Sequence, residues 1–170
     1  MAEVRLGIIM NGVTGRMGTN QHLIRSILAI RNQGGVELVN GDRVMPDPIL
    51  VGRNAEKVGA LAKKHGVERW TTDLDAALDN EDDRLFFDAA STNLRVDLLK
   101  KAMDKGKDIY CEKPIAENLE TAMDVVRHAA KTGAKNGVVH DKLSLPGLLK
   151  LAQLIEEGFY AIFGKAGART

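Results

Sequence analysis

The feature that most constrains this chain is an alternation, in which short β-rich apolar runs take turns with longer stretches whose apolar residues recur at helical spacing. Arg5–Met10, Ile49–Gly52, Leu85–Asp88, Asp108–Cys111 and Lys135–Val139 read as strands, with a weaker one at Arg69–Thr71. Between them Arg16–Arg31, Asn54–His65, Asn93–Lys105, Leu119–Thr132 and Pro146–Glu157 carry the spacing of amphipathic helices. Strands joined through helices pair in parallel and need cover on both faces. The expected class is therefore α/β, a doubly wound, mainly parallel sheet in three layers.

The punctuation agrees. Gly106 and Gly133 stand just past predicted helices, where a left-handed residue ends the helix most cheaply. Asn118 is placed to cap the helix that follows it. The stretch Asn32–Pro48, with Gly34, Gly35, Gly41 and two prolines, breaks both periodicities and reads as an excursion, in which Val36–Val39 can form a small hairpin arm.

At 170 residues the chain is the size of one domain, assigned here to residues 1–158, with 159–170 as a divergent tail. Charged residues make up 28% and balance to +1, so no single-sign field calls for nucleic acid or an anionic membrane. No apolar stretch approaches the ~20 residues of a membrane-spanning helix. Met1–Arg5 carries no leader pattern. With the single cysteine Cys111, these features predict a cytoplasmic protein without disulfides. His22, His65, His128 and His140 are scattered without ligand spacing, so no metal site is expected.

The chemistry concentrates in Gly12-Val13-Thr14-Gly15-Arg16-Met17-Gly18, directly after the first strand and opening the first helix. Glycines there let bare backbone amides approach a pyrophosphate, and the helix N-terminus adds its positive end. The spacing has one residue more than the commonest dinucleotide fingerprint, so placement carries the inference. A tight strand-to-helix turn would use the same glycines for backbone reasons alone. Gly12, Thr14, Gly15, Arg16 and Met17 are the expected phosphate contacts of a Rossmann-type, dinucleotide-binding domain. The second strand ends Gly52-Arg53-Asn54, with a guanidinium where NAD-preferring domains keep a carboxylate. Arg53 and Asn54 are the expected ribose-side contacts, and NADP is favoured over NAD.

At Asp108-Ile109-Tyr110-Cys111-Glu112-Lys113-Pro114 the sequence resembles the glucose-fructose oxidoreductase, inositol dehydrogenase and rhizopine-catabolism (Gfo/Idh/MocA) family. The likeness extends from the glycine loop through Asn54–His65, Ser91-Thr92-Asn93 and Glu-Lys-Pro to Leu145-Pro146-Gly147-Leu148-Leu149-Lys150. It implies a nicotinamide-dependent oxidoreductase acting on a sugar or polyol alcohol and its ketone. It also implies Lys113 as the catalytic lysine, with Glu112 and Lys113, and Ser91, Thr92 and Asn93, lining the cofactor site. An ammonium beside a carbonyl or alkoxide can stabilise developing charge or relay a proton while the nicotinamide carries the hydride. The sequence departs from the family's Thr-Pro-Asn-x-x-His pattern, with Val96 at the histidine position.

Members of that family add an α+β domain that supplies further substrate groups and most of an oligomer interface. That domain is not found here, and Tyr160–Thr170 looks unrelated to it. An alternative is therefore a non-catalytic nucleotide-binding or interaction module. A dihydrodipicolinate reductase-like reading, suggested by Gly15-Arg16-Met17-Gly18, ranks below both because it lacks the Glu-Lys-Pro setting. A dinucleotide, a small sugar or polyol and a second copy of the chain are the expected partners. Cys111 reads as buried packing, Trp70 as core or interface, and His140 as a loop residue.

Overall fold

β1 (Glu3–Asn11) is the axis of a seven-stranded sheet, and its apolar run explains that position: Ile8, Ile9 and Met10 are all buried between neighbours on both sides. On one side it pairs in parallel with β3 (Arg43–Val51) in the register Ile8↔Pro48, and on the other with β5 (Leu85–Asp88) in the register Ile8↔Leu85. β4 (Arg69–Thr71) joins the far side of β3, while β6 (Asp108–Cys111) and β7 (Asn136–Val138) extend the sheet beyond β5, all in parallel. β2 (Val36–Glu37) is a short antiparallel arm on the start of β3, as the expected hairpin required. Without that arm the order is β4-β3-β1-β5-β6-β7, the doubly wound Rossmann order, which reverses between β1 and β5.

This computed structural model describes residues 2–159. The tail assigned to 159–170 thus lies outside the described residues apart from Phe159. The chain's contacts group into two compact units, one ending at Val138 and one beginning at Val139. Among the described residues the second holds a 3-10 turn, Asp141–Ser144, and α6 (Pro146–Glu156), which has its proline in the first turn where a missing N–H costs nothing. Among the described residues no helix is long and apolar enough to cross a membrane.

In the first unit the helices fall on two faces as right-handed crossovers require. α1 winds as a π-helix over Gly18–Leu28 and as an α-helix over Ala29–Asn32, and with α2 (Ala55–His65) it belongs to the β1-β3-β4 half. α3 (Leu74–Asp79), α4 (Thr92–Asp104) and α5 (Leu119–Thr132) cover the other face. There Ala77, Leu78, Leu99, Ala102, Met103, Val125 and Ala129 pack on Ile9, Val51, Phe86, Ile109 and Cys111, the alternate residues of their strands. The caps are those the residue types suggest. Asn54, Asp73 and Asn118 accept the amides of Lys57, Ala76 and Thr121 at 2.9, 3.0 and 3.0 Å. Gly106 and Gly133 take φ of +72° and +73° past α4 and α5.

Two elements differ from expectation. β3 starts at Arg43 rather than Ile49, so the last six residues of the presumed excursion are strand. Its two prolines were the reason to read a break, and the pairing explains why they are tolerated. β2 partners β3 only as far as Val44 and β4 only from Ile49, so Pro46 and Pro48 sit in the gap between, where no neighbour on that edge needs an N–H. The Pro46 carbonyl in that gap accepts from Arg31 at 2.5 Å. α3 was not expected because a six-residue helix is too short to display a period, although Asp73 marks its start.

Near the amino ends of β1 and β5, Asp83 is fully buried and receives Arg69, Arg5 at 3.2 Å and Asn80 at 3.0 Å. Asp47 shares the same two arginines, at 2.7 Å from Arg5 Nε and 2.8 Å from Arg69 Nη1. The carboxylates hold the Arg69 guanidinium above its usual pKa, the Asp83 hydrogen bond contributing most. Gly7 makes the approach possible, because a Cβ there would stand 2.3 Å from Asp83 Oδ1 and 2.6 Å from the Asp82 carbonyl. Gly7→Ala is expected to cost about 1–3 kcal/mol of stability, read as a lowered urea midpoint with unchanged slope.

Candidate cofactor site

The sheet reverses between β1 and β5, so their following loops diverge to opposite faces and leave a crevice at the carboxyl ends of the strands. The glycine loop leaves β1 there, Ala89–Ser91 leaves β5, Gly52-Arg53 leaves β3, and Glu112–Pro114 leaves β6. Every residue expected to touch a cofactor therefore sits at one end of the sheet, although they are spread over 102 positions, from Gly12 to Lys113.

Each glycine of the loop has its own task. Gly12 adopts φ +71°, and a Cβ on it would lie 2.5 Å from the Ala90 amide nitrogen, so only glycine lets the β1 and β5 loops touch. A Cβ on Gly18 would lie 2.7 Å from the Gly12 carbonyl, so the third glycine seats α1 against the turn. Gly15 has nothing nearer than the Gly12 carbonyl at 3.4 Å and is exposed, which leaves bare backbone facing outward. The turn is closed by Gly15 N–H donating to Gly12 O at 3.1 Å. Thr19 then fastens the head of the helix, its amide to Gly15 O at 2.8 Å and its hydroxyl to Val13 O at 2.6 Å. Thr14, Arg16 and Met17 are exposed around this turn. The Thr14 methyl would lie 3.4 Å from a Cβ on Gly52, which brings the glycine loop against the turn that carries Arg53. Arg53 is exposed, and so is Asn54, whose side-chain oxygen is already engaged as the cap of α2.

The β5 and β6 loops are joined from inside. Asp88 ends β5 fully buried and accepts from Asn11 Nδ2 at 2.8 Å and Arg95 Nε at 2.9 Å. The guanidinium of Arg95, 2% exposed, also donates to the carbonyls of Ala90, at 2.6 Å, and Pro114, and more weakly to Thr92 Oγ1 at 3.4 Å. One buried cation thus ties together the end of β5, the head of α4 and the Glu-Lys-Pro turn. Ser91 precedes α4 without capping it, and Ser91 and Asn93 are exposed.

Glu112 is buried and Lys113 exposed, and the peptide between Lys113 and Pro114 is cis. Glu112 Oε1 lies 2.6 Å from His22 Nε2 of α1, and its Oε2 accepts the Lys113 amide at 3.0 Å. Next door, burial pushes the Cys111 thiol up to about 11, which keeps it protonated and unreactive, in line with a packing role. No cluster of His, Cys, Asp and Glu among the described residues could hold a metal ion.

Sequence reasoning missed Arg95, Asp88 and His22. Arg95 had a signal: it lies on the buried face of α4 with Leu99 and Ala102, a position where an arginine requires a partner. His22 had none, because its partner is 90 residues away in sequence.

The family model described as "Oxidoreductase family, NAD-binding Rossmann fold" matches residues 8–140. The chain belongs to the Gfo/Idh/MocA family. Within that family it is 53% identical over 153 residues to a D-xylose dehydrogenase of Paenarthrobacter nicotinovorans, covering 90% of this chain and 39% of that protein. The chain thus spans about two fifths of the length of this curated relative. Among solved structures, levoglucosan dehydrogenase in complex with NADH and levoglucosan superposes with a TM-score of 0.73 at 22% identity, covering 92% of this chain and 40% of that one. KijD10, a 3-ketoreductase from Actinomadura kijaniata in complex with NADP and TDP-benzene, gives 0.68 at 16% identity, covering 92% and 43%. Both share the Gfo/Idh/MocA fold of this chain, one holding NADH and the other NADP.

Arg95→Met is expected to destabilise the chain by about 3–5 kcal/mol, because it leaves Asp88 buried and uncompensated. Adding Asp88→Asn should recover much of the loss in chemical denaturation, since the stranded charge is then removed.

Proposed function

We propose that this chain binds NADP(H) and forms the cofactor-binding part of an oxidoreductase that interconverts an alcohol of a sugar or polyol and its ketone. The observation that carries the reading is the exposed bare turn at Gly15, held at the reversal point of the sheet by the Gly12–Ala90 contact. That cradle suits a diphosphate. Where side chains would intrude, only backbone faces out, and the head of α1 favours negative charge.

Under this proposal Gly12, Thr14, Gly15, Arg16 and Met17 hold the diphosphate, and Ser91, Thr92 and Asn93 line the path toward the Glu-Lys-Pro turn. Arg53 is the group for a ribose 2′-phosphate. It is exposed at the end of β3 with no carboxylate in the adjoining Gly52-Arg53-Asn54 turn, and its planar donors fit a dianion. When bound, the nicotinamide supplies the hydride acceptor or donor. Lys113 stands at the substrate oxygen, where its ammonium stabilises an alkoxide or passes a proton to a ketone oxygen. The likeness to a D-xylose dehydrogenase favours a sugar as substrate.

NADPH is expected to bind at least several-fold more tightly than NADH in a fluorescence titration, and Arg53→Ala to abolish that preference. A wild-type preference for NADH would remove Arg53 from the role. Lys113→Ala should keep NADPH affinity within about twofold while sugar-dependent turnover falls at least about 100-fold, the usual range for losing a proton-transfer group. Full turnover in that variant would show that another group does the work.

A further inference from the structure

The two loops that matter most to the proposed chemistry, the glycine loop and the Glu-Lys-Pro turn, are not neighbours in sequence, yet one side-chain pair spans them. His22 rides on α1, whose head carries Gly15–Met17, and its Nε2 meets Glu112 Oε1 at 2.6 Å. The His22 ring lies against Phe87 of β5, with centroids 4.5 Å apart and planes tilted by 50°. The side chains are 14% and 8% exposed, so the contact is largely shielded from water.

We infer that His22 and Glu112 are a positioning pair, which fixes the backbone of the Lys113 turn to the helix of the phosphate loop; the inference rests on the cofactor reading of this site. An ionised carboxylate only accepts, so His22 presents Nε2–H to it. The second oxygen of Glu112 takes the Lys113 amide at 3.0 Å, and the Glu112 amide donates to the Asp88 carbonyl at 2.9 Å. The backbone on which Lys113 stands is therefore held from two sides. Asp88 holds it to the sheet, and His22 holds it to α1. Moving the turn relative to the glycine loop breaks a shielded, charge-assisted hydrogen bond, the strong kind. His22 touches no reacting atom in this arrangement and acts through Glu112. Truncating the Lys113 side chain leaves the turn in place, whereas removing the His22 donor uncouples the turn from α1, with Asp88 and Arg95 still holding it to the end of β5.

The test compares two probes on the full chain: NADPH, and 2′-phospho-ADP-ribose, which has the diphosphate and adenosine end without the nicotinamide. His22→Leu is expected to weaken NADPH about tenfold, the effect of losing one charge-assisted hydrogen bond, and to leave 2′-phospho-ADP-ribose within about twofold. His22→Gln, which restores a donor near the same point, should recover most of the loss. Should His22→Leu not fold, Glu112→Gln is read in the same way, with the same split between the probes expected. Equal weakening of both probes, or of neither, overturns the pair while leaving the cofactor reading intact. A wild-type chain that binds neither probe overturns both.

Discussion

A guanidinium sealed from water beneath a ligand crevice is an unusual investment for a domain of this size, and in this chain Arg95 is the point on which the crevice turns. Burying a charge is tolerable only when its donors are answered. Arg95 answers them with the Asp88 carboxylate and with the main-chain carbonyls of Ala90 and Pro114, which belong to different loops. Asp88 in turn holds Asn11 at the end of β1. The neighbouring carboxyl ends of β1, β5 and β6 are thereby locked into one polar lattice, and no described buried side-chain nitrogen or oxygen lacks a partner. The apolar face below, from Ile9 to Ala129, sets the layers, but it has no direction of its own. The direction comes from the lattice.

The glycines work on that frame. Gly12 and Gly18 are spaces already filled by the chain's own backbone, and Gly15 is a space left open. Only the last is open to solvent. Behind the loop α1 winds as a π-helix over Gly18–Leu28 before it turns α-helical at Ala29.

Much of this was legible beforehand. The alternation of strand and helix, the hairpin arm at Val36, the cap at Asn118 and the stops at Gly106 and Gly133 follow from local chemistry, and the structure contains each of them. So do the β5 and β6 spans. What could not be read is the part made by distance. Asp88 is an ordinary strand-end residue until Arg95 folds over it, and His22 is one of four scattered histidines until Glu112 arrives from 90 residues away. The beginning of β3 was misread for a different reason. Proline is a local rule against strands, and here the register of two partial neighbours suspended the rule.

That stretch of β3 has a consequence for how the molecule behaves in company. An open sheet margin is a template on which foreign strands can add, and proteins commonly blunt such margins with charge or proline. Between the two short strands that cover its ends, β3 carries buried Pro46 and Pro48, which have no amide protons, and the Pro46 oxygen is occupied by Arg31. An intruding chain would find no donor at either proline and no free acceptor at Pro46. The residues that disguised the strand from a reader of the sequence also make it a poor seed for aggregation.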